Sequence, residues 1–155
     1  MEVFLEFGLK FIFAAFAALV FALVFNVPKH ALIYCFFGGA ISHTTKEVFM
    51  GFGFSIELST FFSATIVGII ALYFSRKNFI PRPVYTVASI IPLIPGTFAF
   101  SAMISLVDMN THGVTPEMIN IFIENFLKSI SILGAISFGI AIPSLYFLRY
   151  NRPII

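Results

Sequence analysis

"SIIPLIPGTFAF", residues 89–100, sets Pro92, Pro95 and Gly96 within two turns of an otherwise apolar run. A proline inside a helix has no amide hydrogen to donate, and its ring pushes away the carbonyl four residues earlier. Pro92 and Pro95 would therefore release the carbonyls of Ala88 and Ile91. If the run crosses a bilayer, an oxygen left facing hydrocarbon would cost several kcal/mol, so the break must face protein, water or a ligand. Gly96 adds freedom at the same place and lets another backbone or a solute come close.

The rest of the chain says that the run does lie in a membrane. Of 155 residues, 59% are hydrophobic and 10% charged, against roughly 25% charged in an ordinary soluble domain. Residues 1–155 are expected to form one transmembrane domain. Four segments, about 7–25, 56–75, 84–107 and 118–148, are long enough to cross a hydrocarbon core that takes about 20 helical residues. A fifth, about 30–50, is apolar at first and is then broken by His43, Lys46 and Glu47. At helical spacing Cys35, Gly38, Gly39, Ser42, His43 and Lys46 share one face, with Phe36, Phe37, Ile41, Val48 and Phe49 mostly elsewhere. Such a helix suits protein on one side and lipid on the other, or else it lies at the interface. The expected fold is thus an all-α polytopic bundle of five transmembrane helices, four if 30–50 does not cross, with the fourth broken by the Pro-Pro-Gly run.

Charge sets the orientation. With five crossings, Lys29 and His30, then Arg76, Lys77 and Arg82, then Arg149 and Arg152 fall on one side. Glu2, Glu6, the 51–55 connection and the "DMNTHGVTPE" loop at 108–117 fall on the other. The positive-inside rule then gives a cytoplasmic C-terminus and an outer N-terminus, whereas four crossings would move only the N-terminus. The acidic start of the first segment is unlike a secretory signal, so that segment is expected to be retained. A net charge of +2 with scattered basic residues gives no support to nucleic-acid binding. One cysteine, Cys35, excludes an intrachain disulfide.

Small residues recur every fourth position at Thr60, Ala64 and Gly68 and again at Ser131, Ala135 and Gly139. In lipid, where apolar burial drives little, such faces are packing seams. The last segment, about 46 Å long as one helix, overreaches the bilayer, so Glu117, Asn120 and Glu124 stand at the outer interface or line a wet cavity. Glu124 and Lys128 are four apart in the favourable acid-first order. Lys46 and Lys128 are the candidates for a lining that attracts anions, because charge held deep in a membrane is costly and usually functional. His43 and Glu47 can pair across one turn, but the chain has no zinc-type histidine pair, nucleophile elbow or phosphate loop. No cofactor, no metal and no enzymatic activity are expected.

"FNVP" at 25–28, "PLIPG" at 92–96 followed by "SAMIS" at 101–105, and "ENFLKSISILGAISFGIAIPSL" at 124–145 resemble the threonine/serine exporter family. The likeness covers nearly the whole chain and is nearest to the small subunit of the family's split form, a two-component succinate exporter. It implies a multi-pass inner-membrane protein that works with a larger subunit of the same family. Single-chain relatives export threonine and serine; the split form is associated with succinate. The family's proline-x-x-proline-glycine motif falls on Pro92, Pro95 and Gly96, and its asparagine in the last helix on Asn125.

The resulting expectation is a transporter subunit exporting small carboxylates or amino acids, driven by the proton motive force. Substrate would meet Pro92, Pro95, Gly96 and the carbonyls of Ala88 and Ile91, hydrogen-bond Asn125, and be drawn in by Lys46 or Lys128. Glu124 would be the protonatable partner, exchanging Lys128 for a proton during the cycle. The alternative is a structural or assembly subunit that does not itself transport, with the prolines as packing kinks.

Overall fold

The computed structural model describes the backbone of residues 2–150 and the side chains of 5–146. Arg152 therefore lies outside the described residues, and Glu2 and Arg149 are described only in their backbone. The elements are helices α1 (Glu2–Val24), α2 (Lys29–Gly51), α3 (Ile56–Asn78) and α4 (Pro83–Ser89), a 3-10 turn at Ile91–Leu93, then α5 (Gly96–His112) and α6 (Pro116–Tyr150). There is no strand among the described residues.

Local chemistry explains the helix ends. α1 stops where Asn26 takes a left-handed conformation, φ 55°, that asparagine tolerates better than most residues. The amides of Asn26 and Val27 then turn back to the Leu23 and Ala22 carbonyls at 3.0 Å each. α3 is capped by Ser55, whose hydroxyl accepts the Leu58 amide at 3.4 Å. Glu57 in its first turn, with Arg76 and Lys77 in its last, complements the helix dipole. α4 starts on Pro83, a position where a missing amide hydrogen is harmless.

The helices form two compact units, Met1–Leu93 with Ala135–Ile155, and Ile94–Gly134. In the first, backbones come unusually close. A Cβ on Gly39 would stand 2.2 Å from the Ala18 Cβ of α1, and one on Gly38 would stand 2.2 Å from the Ser89 hydroxyl of α4. Ser63 of α3 donates to the Ser42 carbonyl. α2 is thus walled by α1, α3 and α4, and its buried residues, among them Cys35, Gly38, Gly39 and Ser42, are the small and polar stripe foreseen in the sequence. The α3 seam is also closed by small residues. Gly139 of α6 lies so near Phe61 and Ala64 that a Cβ would be 2.7 Å from the Phe61 carbonyl oxygen. Ser131, the third member of the α6 stripe, is exposed.

In the second unit α5 and the first part of α6 are joined by a short turn at Gly113, φ 90°. Thr115 caps α6 by accepting the Met118 amide at 3.3 Å.

Three helical stretches, Leu5–Val24, Ile56–Asn78 and Pro116–Tyr146, are long and apolar enough to cross a membrane, and Pro83–Leu93 with Gly96–His112 make a fourth if they serve as one span. α2 is not among them, because His43, Thr44, Thr45, Lys46 and Glu47 dilute its second half.

Candidate functional site

Within the first unit, polar groups from α1 and α2 meet along the second half of α2. Lys10 of α1 reaches Glu6 at 3.0 Å on its own helix and Glu47 of α2 at 3.5 Å. The other Glu47 oxygen lies 4.0 Å from His43 Nε2, one turn back on α2. Lys46, half-buried, stands beside Glu47 on the same helix. Next to His43 in the chain, Ser42 donates back to the Gly39 carbonyl at 2.8 Å. The cluster is partly wet: the Lys10, Glu47 and His43 side chains are 43%, 27% and 22% exposed.

The helix interruption has a definite hydrogen-bond path. α4 closes with the Ile90 amide on the Thr86 carbonyl at 3.1 Å, and the Leu93 amide bonds the Ile90 carbonyl at 2.9 Å in the 3-10 turn. The tightening follows from the lost proline donors. Ala88, one of the two residues whose carbonyl the prolines release, is buried against Ala22 and Cys35. Ile91 is half-buried.

In the second unit, Pro95 has φ −78° and ψ 57°, and the Gly96 amide bonds the Ile94 carbonyl at 2.8 Å. These are the marks of an inverse γ-turn, from which α5 starts without a side-chain cap. A Cβ built on Gly96 would meet nothing within 4 Å. Lys128 of α6 pairs with Glu124 at 3.2 Å, and its ammonium lies 5.5 Å from the centre of the Phe98 ring in the first turn of α5. Asn125 donates to the Ile121 carbonyl at 2.8 Å, so its side-chain oxygen remains for another donor.

The sequence-selected residues thus fall into two sets. Ala88, Ile91, Pro92 and Lys46 belong to the first unit, and Pro95, Gly96, Asn125, Lys128 and Glu124 to the second. The first set acquires members that the sequence reading left out of the site, namely Lys10, His43 and Glu47. The signal for Lys10 was a lone cation two turns into an apolar run; its partner lies 37 residues away and is invisible locally.

Apolar helices of spanning length mark a helical membrane protein. The sequence model described as "Threonine/Serine exporter, ThrE" matches residues 10–146, and the chain belongs to that family of exporters. No solved structure matches it.

Proposed function

We propose that this chain is a non-enzymatic transporter subunit that exports a small carboxylate or amino acid, threonine, serine or a succinate-like dicarboxylate, together with a larger subunit of its family. It would sit in the inner membrane with its C-terminus in the cytoplasm, as one transport domain of five crossings. The fourth crossing would be α4, the 3-10 turn and α5 in series.

The observation that carries the reading is the start of α5. An uncapped helix N-terminus bears partial positive charge and spare amides, the space beside Gly96 is open, and the Lys128 ammonium stands over the first-turn Phe98. These are the attractions that a carboxylate group needs. Glu124 holds Lys128 until a substrate carboxylate takes its place, and a proton on Glu124 would ease the exchange. Asn125 offers its free oxygen to a substrate amine or hydroxyl. Lys46 would attract the same anion at the first unit's cluster.

Gly96→Leu tests this cleanly, because the new side chain enters open space rather than a packed seam. Efflux of threonine and succinate from cells should fall about tenfold, as expected for lost transition-state or substrate contacts of roughly 1.4 kcal/mol, at unchanged membrane abundance. Undiminished efflux removes the α5 start from the site.

A further inference from the structure

A hydroxyl buried on a helix usually closes on the carbonyl four residues back, which satisfies the donor without leaving the element. This chain does so repeatedly: Thr60 donates to Ile56, Ser89 to Tyr85 and Ser105 to Ser101, at 2.7, 2.7 and 3.0 Å. Ser129 of α6 does not. It is 6% exposed, and its hydroxyl has no hydrogen-bond partner. A buried hydroxyl in that state costs free energy until some other molecule supplies the bond.

Ser59, in the first unit, is the other serine in this condition among the described residues. Two features set Ser129 apart. One turn back on the same face, Asn125 donates to the Ile121 carbonyl and keeps its side-chain oxygen free. Next to Ser129, Lys128 reaches the Phe98 ring, so this stretch of α6 runs beside the first turn of α5, where the space at Gly96 is open.

We propose that Ser129 and Asn125 form a subsite for a hydroxyl group of the exported solute: Ser129 donates to the solute oxygen, and the Asn125 side-chain oxygen accepts the solute's hydrogen. The proposal rests on the transport reading above and adds to that site a second point of recognition beside Lys128.

The chemistry of the pair selects the group. Residues four apart on a helix face stand about 5–6 Å apart at Cβ, a gap that two hydrogen bonds of about 2.8 Å meeting at one oxygen would span. A hydroxyl both accepts and donates, so it satisfies both residues. A carboxylate accepts from Ser129 but has no hydrogen for Asn125 and meets its oxygen with repulsion. An ammonium donates to both oxygens and leaves the Ser129 hydrogen unpaired. A methyl group does neither. Exposure then orders the solute, since the Lys128 side chain is 41% exposed, Asn125 half-buried and Ser129 enclosed. The carboxylate stays at the wetter end with Lys128, and the hydroxyl goes inward.

The test loads cells holding this chain and its larger subunit with L-threonine, with succinate, or with L-α-aminobutyrate, which is threonine without the hydroxyl. Efflux is read against cells lacking both subunits. Wild type should export threonine about tenfold faster than aminobutyrate, and Ser129→Ala should bring the two within about twofold by slowing threonine alone. Ser131→Ala, on the exposed side of the same helix, should keep the wild-type ratio. Should wild type export none of the three, the transport reading fails and this proposal with it. Export of succinate alone, or of both amino acids at one rate, leaves transport standing and overturns the hydroxyl subsite. A ratio that Ser129→Ala leaves as in wild type, or that Ser131→Ala lowers equally, overturns it too.

A second measurement separates recognition from folding. Removing a hydroxyl that has no partner takes nothing from the fold, so purified Ser129→Ala should melt no lower than wild type in the same detergent. An earlier transition, or a variant missing from the membrane, would show that the hydroxyl serves the fold and would overturn the proposal.

Discussion

At Gly39 a methyl group would stand 2.2 Å from the Ala18 Cβ and 2.9 Å from the Ala14 carbonyl oxygen. At Gly96 it would meet nothing within 4 Å. Side-chain absence therefore means opposite things at the two positions. Gly39 holds α1 and α2 at backbone contact, which is how helices gain adhesion in lipid, and a backbone oxygen cannot move aside as a flexible side chain can. Gly39→Ala is expected to cost about 1–3 kcal/mol, or to lower folded protein in the membrane outright. Gly96→Ala should stay within about 0.5 kcal/mol of wild type. Thermal unfolding in one detergent, read for both variants, checks the pair; equal melting temperatures would mean that the α1–α2 seam is looser than its distances say. The sequence already gave Gly38 and Gly39 a place on the small, polar face of α2, because spacing alone puts them there. It could not name Ala18 or Ser89 as the surfaces met, since those contacts join residues 21 and 51 positions away.

Helix ends were the easiest elements to read. Asn26 and Pro28, Ser55, Pro83 and Thr115 are residues whose backbone or side-chain chemistry starts or stops helices, and each stands at such an end. The interruption at 90–95 was legible for the same reason, as proline cannot donate. What happens to the released oxygens was not legible. Ala88 is buried against Ala22 and Cys35, which lie 66 and 53 positions earlier in the chain. Spacing on one helix cannot reveal a contact that depends on how two helices pack. A prediction follows for the double variant Pro92→Ala and Pro95→Ala. Both positions regain an amide, and α4 can run on with ordinary hydrogen bonds. The new amides at 92 and 95 should be protected in hydrogen exchange, while solute efflux falls about tenfold. Fast exchange at both positions with wild-type efflux would show that the prolines neither break the helix nor matter to the cycle.

For the whole molecule, the open question of topology turns on α2, a helix packed against three others and the least apolar of the long ones. A hydropathy criterion treats each helix as if lipid surrounded it. α2 instead buries Cys35, Gly38, Gly39 and Ser42 against α1, α3 and α4, and its charged second half is compensated by Lys10 and by its own i,i+4 pairing. Protein replaces lipid along that face, so the cost that hydropathy assigns to polar residues is reduced, and a crossing becomes compatible with His43, Lys46 and Glu47. At about 1.5 Å per residue its 23 residues extend about 35 Å, enough for a core of about 30 Å. If α2 crosses, its two ends open to opposite sides of the membrane. His30 and Phe52 are both exposed just at those ends, and the one native cysteine, Cys35, is buried. Single variants His30→Cys and Phe52→Cys, made with Cys35→Ala, should then react differently with a membrane-impermeant maleimide added to intact cells. The label should reach position 52 and leave position 30 untouched until the cells are opened, as the side of Lys29, Arg76 and Arg82 is cytoplasmic by the positive-inside rule. Labelling of both positions from outside would leave α2 on the outer surface and reduce the crossings to four. The polar cluster of Lys10, His43 and Glu47 would then sit at the interface, where water rather than protein meets its charges.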